Sequence, residues 1–138
     1  MPTTTVRWIA HRQFVGTDDN NQSVLISGSK AAGGVKPSQM LLLGLSACTA
    51  YDVLDIMEKK RQPLTHLEVV ANGEQDPEPP WAYQHIHLIF RVSGENLTEK
   101  AIAQAIKLSQ EKYCSVAATV RGVAEITTAF EIIAVPAT

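Results

Sequence analysis

Cys48 and Cys114 are the only thiols in the chain, and they stand in different surroundings. Cys48 lies inside the apolar run SACTAYDVLD, Cys114 inside EKYCSVAATV. Four chemistries suit such a pair: inert packing, a structural disulfide, metal ligation and a thiol–disulfide redox cycle. Free cysteines are among the most buried residue types and often only pack. Cys114 follows a helix-like run and precedes SVAATV, a second short helical stretch. Unpaired backbone N–H groups at such a junction favour a thiolate and lower its pKa, so local environment marks Cys114 as the more reactive thiol.

Other ionisable residues lie close in sequence. Asp52 and Asp55 follow Cys48 by four and seven residues, on its own helical face. Helical side chains lean toward the N-terminus, which takes Cys48 away from these carboxylates. Nearby negative charge also raises a thiol pKa, the wrong direction for a nucleophile. The two aspartates therefore read as a polar helix end or an interface. Glu111, three residues before Cys114, invites the same caution. Metal ligation needs further ligands at useful spacing, and the chain has no CxxC motif. His85 and His87 share one strand face and would hold zinc if a third ligand came from elsewhere, but a solvated polar face has the same pattern. Neither a metal nor a cofactor is expected.

A chain of 138 residues suits a single domain over 1–138. Hydrophobic residues make up 45% and charged residues 19%, an ordinary globular mix. The net charge of −2 gives no broad basic field, so neither nucleic acid nor an anionic membrane is an expected partner. The start, MPTTTVRWIA, lacks the charged and apolar regions of a signal peptide, which favours the cytoplasm, where structural disulfides are rare. MLLLGLSACTAYDVLDIM, residues 40–57, is largely apolar but carries Asp52 and Asp55 and is flanked by Lys36 and Lys59–Lys60–Arg61. It reads as a helix buried in protein, not a membrane span.

The elements that position these residues follow from periodicity. TTTVRWIA (3–10) and QSVLISG (22–28) read as strands, with QFVG (13–16) extended between them and DDNN (18–21) as a turn. Pro37 suits a first helical turn, and Pro63 forbids continuation, so a helix is expected from about 38 to 60. It is apolar on most sides and should be central. LTHLEVVANG (64–73) and YQHIHLIFRV (83–92) read as strands of an antiparallel sheet, the second with Ile86, Leu88, Phe90 and Val92 on one face. Asn96 with Glu99 resembles a capping box for a helix that presents Ile102, Ala105, Ile106 and Ser109 on one side. A short helix follows with Ser115 near its N-cap, ended by Gly122, and VAEITTAFEII (123–133) is a last strand. The order of elements predicts an α+β fold.

KPSQMLLLGLSACTAYDVLDIMEKKRQPLTHLEV resembles the central segment of the OsmC/Ohr family, the osmotically inducible and organic hydroperoxide resistance proteins, and EKYCSVAATV resembles that family's second cysteine segment. The resemblance is closest to the OsmC-like subgroup and covers most of the chain. It implies antiparallel sheets around a long central helix, two chains intertwined as a homodimer, and thiol-dependent reduction of organic hydroperoxides. Carried over, Cys48 is the peroxidatic cysteine and Cys114 the resolving one, with a dithiol reductant as partner. This reverses the order of reactivity that local environment assigns to the two thiols.

The sequence departs from the family pattern in two places. Active members carry a glutamate just after the helix-opening proline, where this chain has Ser38 and Gln39. They also use an arginine on an N-terminal strand, and in an alignment from Trp8 that position is Phe14. Arg12, two residues earlier, would share its strand face. Without both charges Cys48 would keep an ordinary thiol pKa of about 8.5. The competing function is a dimeric protein of the same fold that binds a small ligand without turnover.

Overall fold

The computed structural model describes residues 1–31 and 33–134. The chain divides into two compact units, Met1–Leu42 and Leu43–Thr138.

The first unit is built on an antiparallel meander: β1 (Thr5–Ala10), β2 (Gln13–Thr17) and β3 (Ser23–Ser27). Its register sets Trp8 opposite Phe14 and Phe14 opposite Ile26. His11 adopts φ 52°, and its carbonyl accepts the Trp8 indole N–H at 2.8 Å. Arg12 therefore belongs to the β1–β2 turn, where its guanidinium donates to the His11 carbonyl. The expectation that Arg12 shares a strand face with Phe14 is thus corrected, because a left-handed residue ends the strand geometry before it. At the second turn the Asp18 carboxylate accepts the N–H groups of Asn20 and Gln22, both at 2.9 Å. This is the side-chain capping that makes Asp a turn residue. After β3 the chain doubles back so that Val35 bonds Leu25 and Ser27. Gly34 permits this. Its φ is 130°, and a Cβ there would lie 2.8 Å from the Ile26 carbonyl carbon.

Helix α1 (Pro37–Lys59) begins at the proline that opens it. Arg61, at φ 61°, takes the left-handed position beyond its end. Leu45, Thr49, Val53 and Met57 are fully buried, four residues apart along one stripe. Leu43, Tyr51 and Leu54 are exposed by 55%, 70% and 44%. Burial on most sides is therefore not what one chain provides: a single stripe is fully buried, Met40, Leu42 and Ile56 are half-buried, and other apolar side chains are exposed. By length and composition alone α1 would suit a membrane crossing. Its buried stripe, and the hydrogen bond from Ser109 to Asp52, are those of a helix packed in protein.

The second unit carries the sheet β4 (His66–Gln75), β5 (Tyr83–Ser93) and β6 (Glu125–Ile132), in that spatial order. β4 and β5 form an antiparallel hairpin with Ala71 opposite Leu88. β5 and β6 are parallel, which departs from the wholly antiparallel expectation. The cause is the helical crossover between them, since a parallel neighbour needs a long connection. Ile86, Leu88, Phe90 and Val92 are fully buried, as their alternation predicts. Each such side chain removed from water stabilises the fold by about 1.5–3 kcal/mol. They share the core with Ala101, Ile102, Ala105 and Ile106 of α2 (Glu99–Leu108).

The N-cap of α2 is Thr98, whose hydroxyl accepts the Ala101 N–H at 3.2 Å. The Asn96 capping box is corrected: Asn96 sits at φ 58° in the preceding turn, and the next hydroxyl residue takes the role. α2 continues as one wide π-helical turn, Ser109–Tyr113, closed by a 2.8 Å bond from the Cys114 N–H to the Ser109 carbonyl. The last helix, α3 (Ser115–Val120), follows at once.

Candidate active site

Cys48 lies in the middle of α1, one residue before the buried Thr49. Cys114 lies between the π turn and α3, and it is itself the N-cap of α3. Its sulfur accepts the Ala117 N–H at 3.3 Å, and Ser115, expected near the cap, is the first residue of the helix beside it. The two elements bring together the Cys48 sulfur, the Cys114 sulfur and a carboxylate oxygen of Asp52, all within 4.8 Å of one another. Both cysteines are free thiols. Cys48 is half-buried, whereas Cys114 is only 2% exposed.

The expectation that Asp52 lies away from the thiols is corrected. The N-terminal lean that takes Cys48 away from Asp52 carries Asp52 back over the turn before it. Its Oδ2 accepts the Ser109 hydroxyl at 2.8 Å, which ties α1 to the π turn. Ser109 is fully buried on the apolar face of the second helix, as its spacing predicts, but its hydroxyl serves the site.

A second polar chain runs beside the first. The Gln110 side-chain amide donates to the Thr49 hydroxyl at 2.9 Å, and that hydroxyl points at the Cys114 sulfur at 3.6 Å. The Arg121 guanidinium donates to the Gln110 carbonyl at 2.7 Å and so holds the π turn closed. Thr49, Ser109, Gln110 and Arg121 are site residues that sequence reasoning missed. Thr49 had a signal, as the polar residue in an otherwise apolar stripe.

Burial pushes the Cys48 thiol above its ordinary pKa. A hydrogen bond to Cys114 and the charges of Cys114 and Asp52 push the same way, and only a hydrogen bond with the Val116 backbone opposes them. Among the described residues, the donors that meet the two sulfurs are thus a hydroxyl and backbone N–H groups, not cations. Asp55 is not among the three converging ligands, but it lines one surface cleft together with Asp52, Ile56, Lys59, Lys60, Leu108 and Tyr113. His85 and His87 do share a strand face, where both rings bond the Thr127 hydroxyl, at 2.9 and 2.6 Å. Among the described residues, Cys48, Asp52 and Cys114 are the group whose ligand atoms converge for a metal.

Residues 28–129 match the family described as OsmC-like protein. Protein YhfA of Escherichia coli K12 is 35% identical over 129 residues, covering 94% of this chain and 96% of its own. An OsmC-like protein of Mycoplasma pneumoniae has the same fold at 18% identity, with a TM-score of 0.84 over 97% of this chain and 98% of that one. The organic hydroperoxide resistance protein OhrB of Bacillus subtilis is more distant in structure, with a TM-score of 0.64 at 18% identity over 95% and 98% of the two chains.

Proposed function

The chain belongs to the OsmC-like family, and from that premise we propose that it is a thiol-dependent peroxidase that reduces organic hydroperoxides through Cys48 and Cys114. The observation that carries this reading is the convergence of the two sulfurs, from elements far apart in the chain, to within 4.8 Å. Exposure supports the roles that the family resemblance implies. Cys48 is half-buried and Cys114 is buried, so Cys48 is the thiol more open to a peroxide.

In the cycle, the Cys48 thiolate attacks the outer oxygen of the O–O bond. The alkoxide leaves and takes a proton to become the alcohol, and Cys48 becomes a sulfenic acid. Cys114 then displaces water from that sulfur and forms a disulfide, which needs a sulfur–sulfur distance of about 2.05 Å. A dithiol reductant takes the disulfide back to two thiols. The name of the Bacillus subtilis relative, organic hydroperoxide resistance protein, points to the same substrate class.

The reading includes a single domain over residues 1–138, a cytoplasmic location and a homodimer. The apolar surface that one chain leaves bare on α1 at Leu43, Tyr51 and Leu54 is what a second copy would cover.

The test is to add one equivalent of cumene hydroperoxide to the reduced protein and follow thiols and mass. Loss of both thiols per chain, with an intramolecular disulfide that Cys48→Ser cannot form, is the expected result. Thiols that survive unchanged would sink the peroxidase.

A second reading, a binding protein of the same fold without turnover, is favoured by the electrostatics. The Cys48 thiol is pushed up, and among the described residues no cation is a donor to either sulfur. Ser38 and Gln39 occupy the first turn of α1, which holds no acidic residue, and Phe14 lies within β2. Rapid peroxide consumption would rule this reading out as the main role.

A further inference from the structure

We infer that Cys48, Asp52 and Cys114 form a zinc site in the reduced chain, with two thiolates and one carboxylate as ligands and a fourth position open. The inference rests on the ligand geometry and stands without peroxidase activity. Its regulatory consequence, that zinc shields the thiols from peroxide, rests on the reading above.

The distances suit the ion. Zinc holds sulfur at about 2.3 Å and carboxylate oxygen at about 2.0–2.2 Å, so a tetrahedral site spaces its two sulfurs by about 3.8 Å. The three ligand atoms already lie within 4.8 Å of one another, so closure around an ion moves any pair by no more than about 1 Å. Cys48 and Asp52 stand one turn apart on α1, and Cys114 arrives from the crossover. Three ligands on two packed elements form a preset triangle, where two neighbours on one exposed helix face would not.

The surroundings are those of a ligand shell. Asp52 is held by the Ser109 hydroxyl through Oδ2, which leaves its other oxygen for the ion. The Cys114 sulfur accepts from Ala117 and from Thr49, and Thr49 is itself oriented by Gln110. Such outer hydrogen bonds fix ligand direction, and their loss typically costs about 10–100-fold in affinity.

The charges point the same way. Two sulfurs and a carboxylate face one another, and the groups donating to the sulfurs are neutral. A divalent cation at the centre would offset the negative charge that two thiolates and a carboxylate bring together. Zinc entry displaces the thiol protons to solvent and changes no oxidation state. Thiolate ligands select zinc over magnesium or calcium. Oxidation to a disulfide removes both sulfur ligands, so metal occupancy and disulfide formation exclude each other.

The test is titration of the reduced full-length chain with Co(II), followed by Zn(II), under anaerobic conditions and without peroxide. We expect one Co(II) per chain, thiolate-to-metal charge-transfer absorption with tetrahedral visible bands, and displacement by one Zn(II). Ser109→Ala should bind about 10–100-fold more weakly. Asp52→Asn should bind more weakly still, Cys48→Ser should lose part of the charge-transfer intensity, and His85→Ala should bind as the parent does. On the unaltered protein, Zn(II) should slow alkylation of both thiols, and EDTA should restore it.

A missing charge-transfer band, full affinity in Asp52→Asn, loss of binding in His85→Ala, or thiols alkylated equally fast with zinc would each overturn the site. A chain that binds zinc but ignores hydroperoxide keeps the site and removes the peroxidase, and the converse separates them equally well.

Discussion

The hydroxyl of Ser109 donates to Oδ2 of Asp52 at 2.8 Å, and this bond sets the carboxylate beside both sulfurs. It joins the long helix to the one widened turn of the crossover, so the charge that opposes thiolate formation is built into the packing.

Replacing Asp52 by Asn should make Cys48 more reactive. The carboxylate is one of the influences that raise the Cys48 pKa, so a neutral amide lets it fall and enlarges the thiolate fraction at neutral pH. Iodoacetamide alkylation of Cys48, measured in a Cys114→Ser background to isolate one thiol, should be faster in Asp52→Asn than with the native aspartate. An equal or slower rate would show that Asp52 does not act on the thiol.

Cys48 in the native chain should titrate above the ordinary thiol value of about 8.5, so its alkylation rate should still be climbing where a free thiol has levelled off. The sign for stability follows. A group whose folded pKa is raised contributes stability that is fully present below its unfolded pKa and is lost as pH rises through the folded value. The melting temperature of the native chain should therefore fall relative to Cys48→Ser on the alkaline side, and the two should run parallel near neutrality.

Leu45→Ala should destabilise the protein by about 2–5 kcal/mol, because Leu45 is fully buried in the α1 stripe and truncation leaves a cavity. A urea midpoint shifted downward with an unchanged slope is the expected signature. Thr98→Ala should cost about 0.5–2 kcal/mol by removing the cap of α2, whereas Asn96→Ala should not reproduce a cap loss.

Leu54→Glu should leave the fold intact and change the assembly. Leu54 is 44% exposed in one chain, so the substitution disturbs little within it. Under the homodimer reading it places a charge in an apolar contact, and sedimentation should move toward the monomer. An unchanged dimer would put the interface elsewhere.

Much of this structure was legible in the sequence for plain reasons. Strict alternation gave the buried face of β5, because a strand has only two faces. Pro37 and Pro63 bracketed α1, because one suits a first turn and the other cannot extend a helix. The two thiols were visible as the only pair in the chain, but their proximity entered only through family resemblance.

What stayed hidden depends on partners that are remote in sequence. The parallel pairing of β6 comes from the path of the crossover, which no strand encodes. The wide turn at Ser109–Tyr113 has no composition of its own, and without it neither Ser109 nor Gln110 could be assigned to the site. The lean of Cys48 alone discounts Asp52, when the lean of Asp52 decides the contact. The Asn96 and Arg12 expectations failed on backbone conformation, since both lie beside or within left-handed turns.

The placement of the two sulfurs has a topological consequence. A bond between residues 48 and 114 would turn the middle of the chain into a covalent ring. The ring would contain the second half of α1, the β4–β5 hairpin, α2 and the wide turn. The meander β1–β3 would precede it as a free N-terminal branch, and α3 with β6 would follow it as a C-terminal one. Closing a loop of that length restricts the unfolded chain by about 4 kcal/mol. The oxidised protein should therefore resist heat better than the reduced one, and its melting point would report the redox state of its own surroundings.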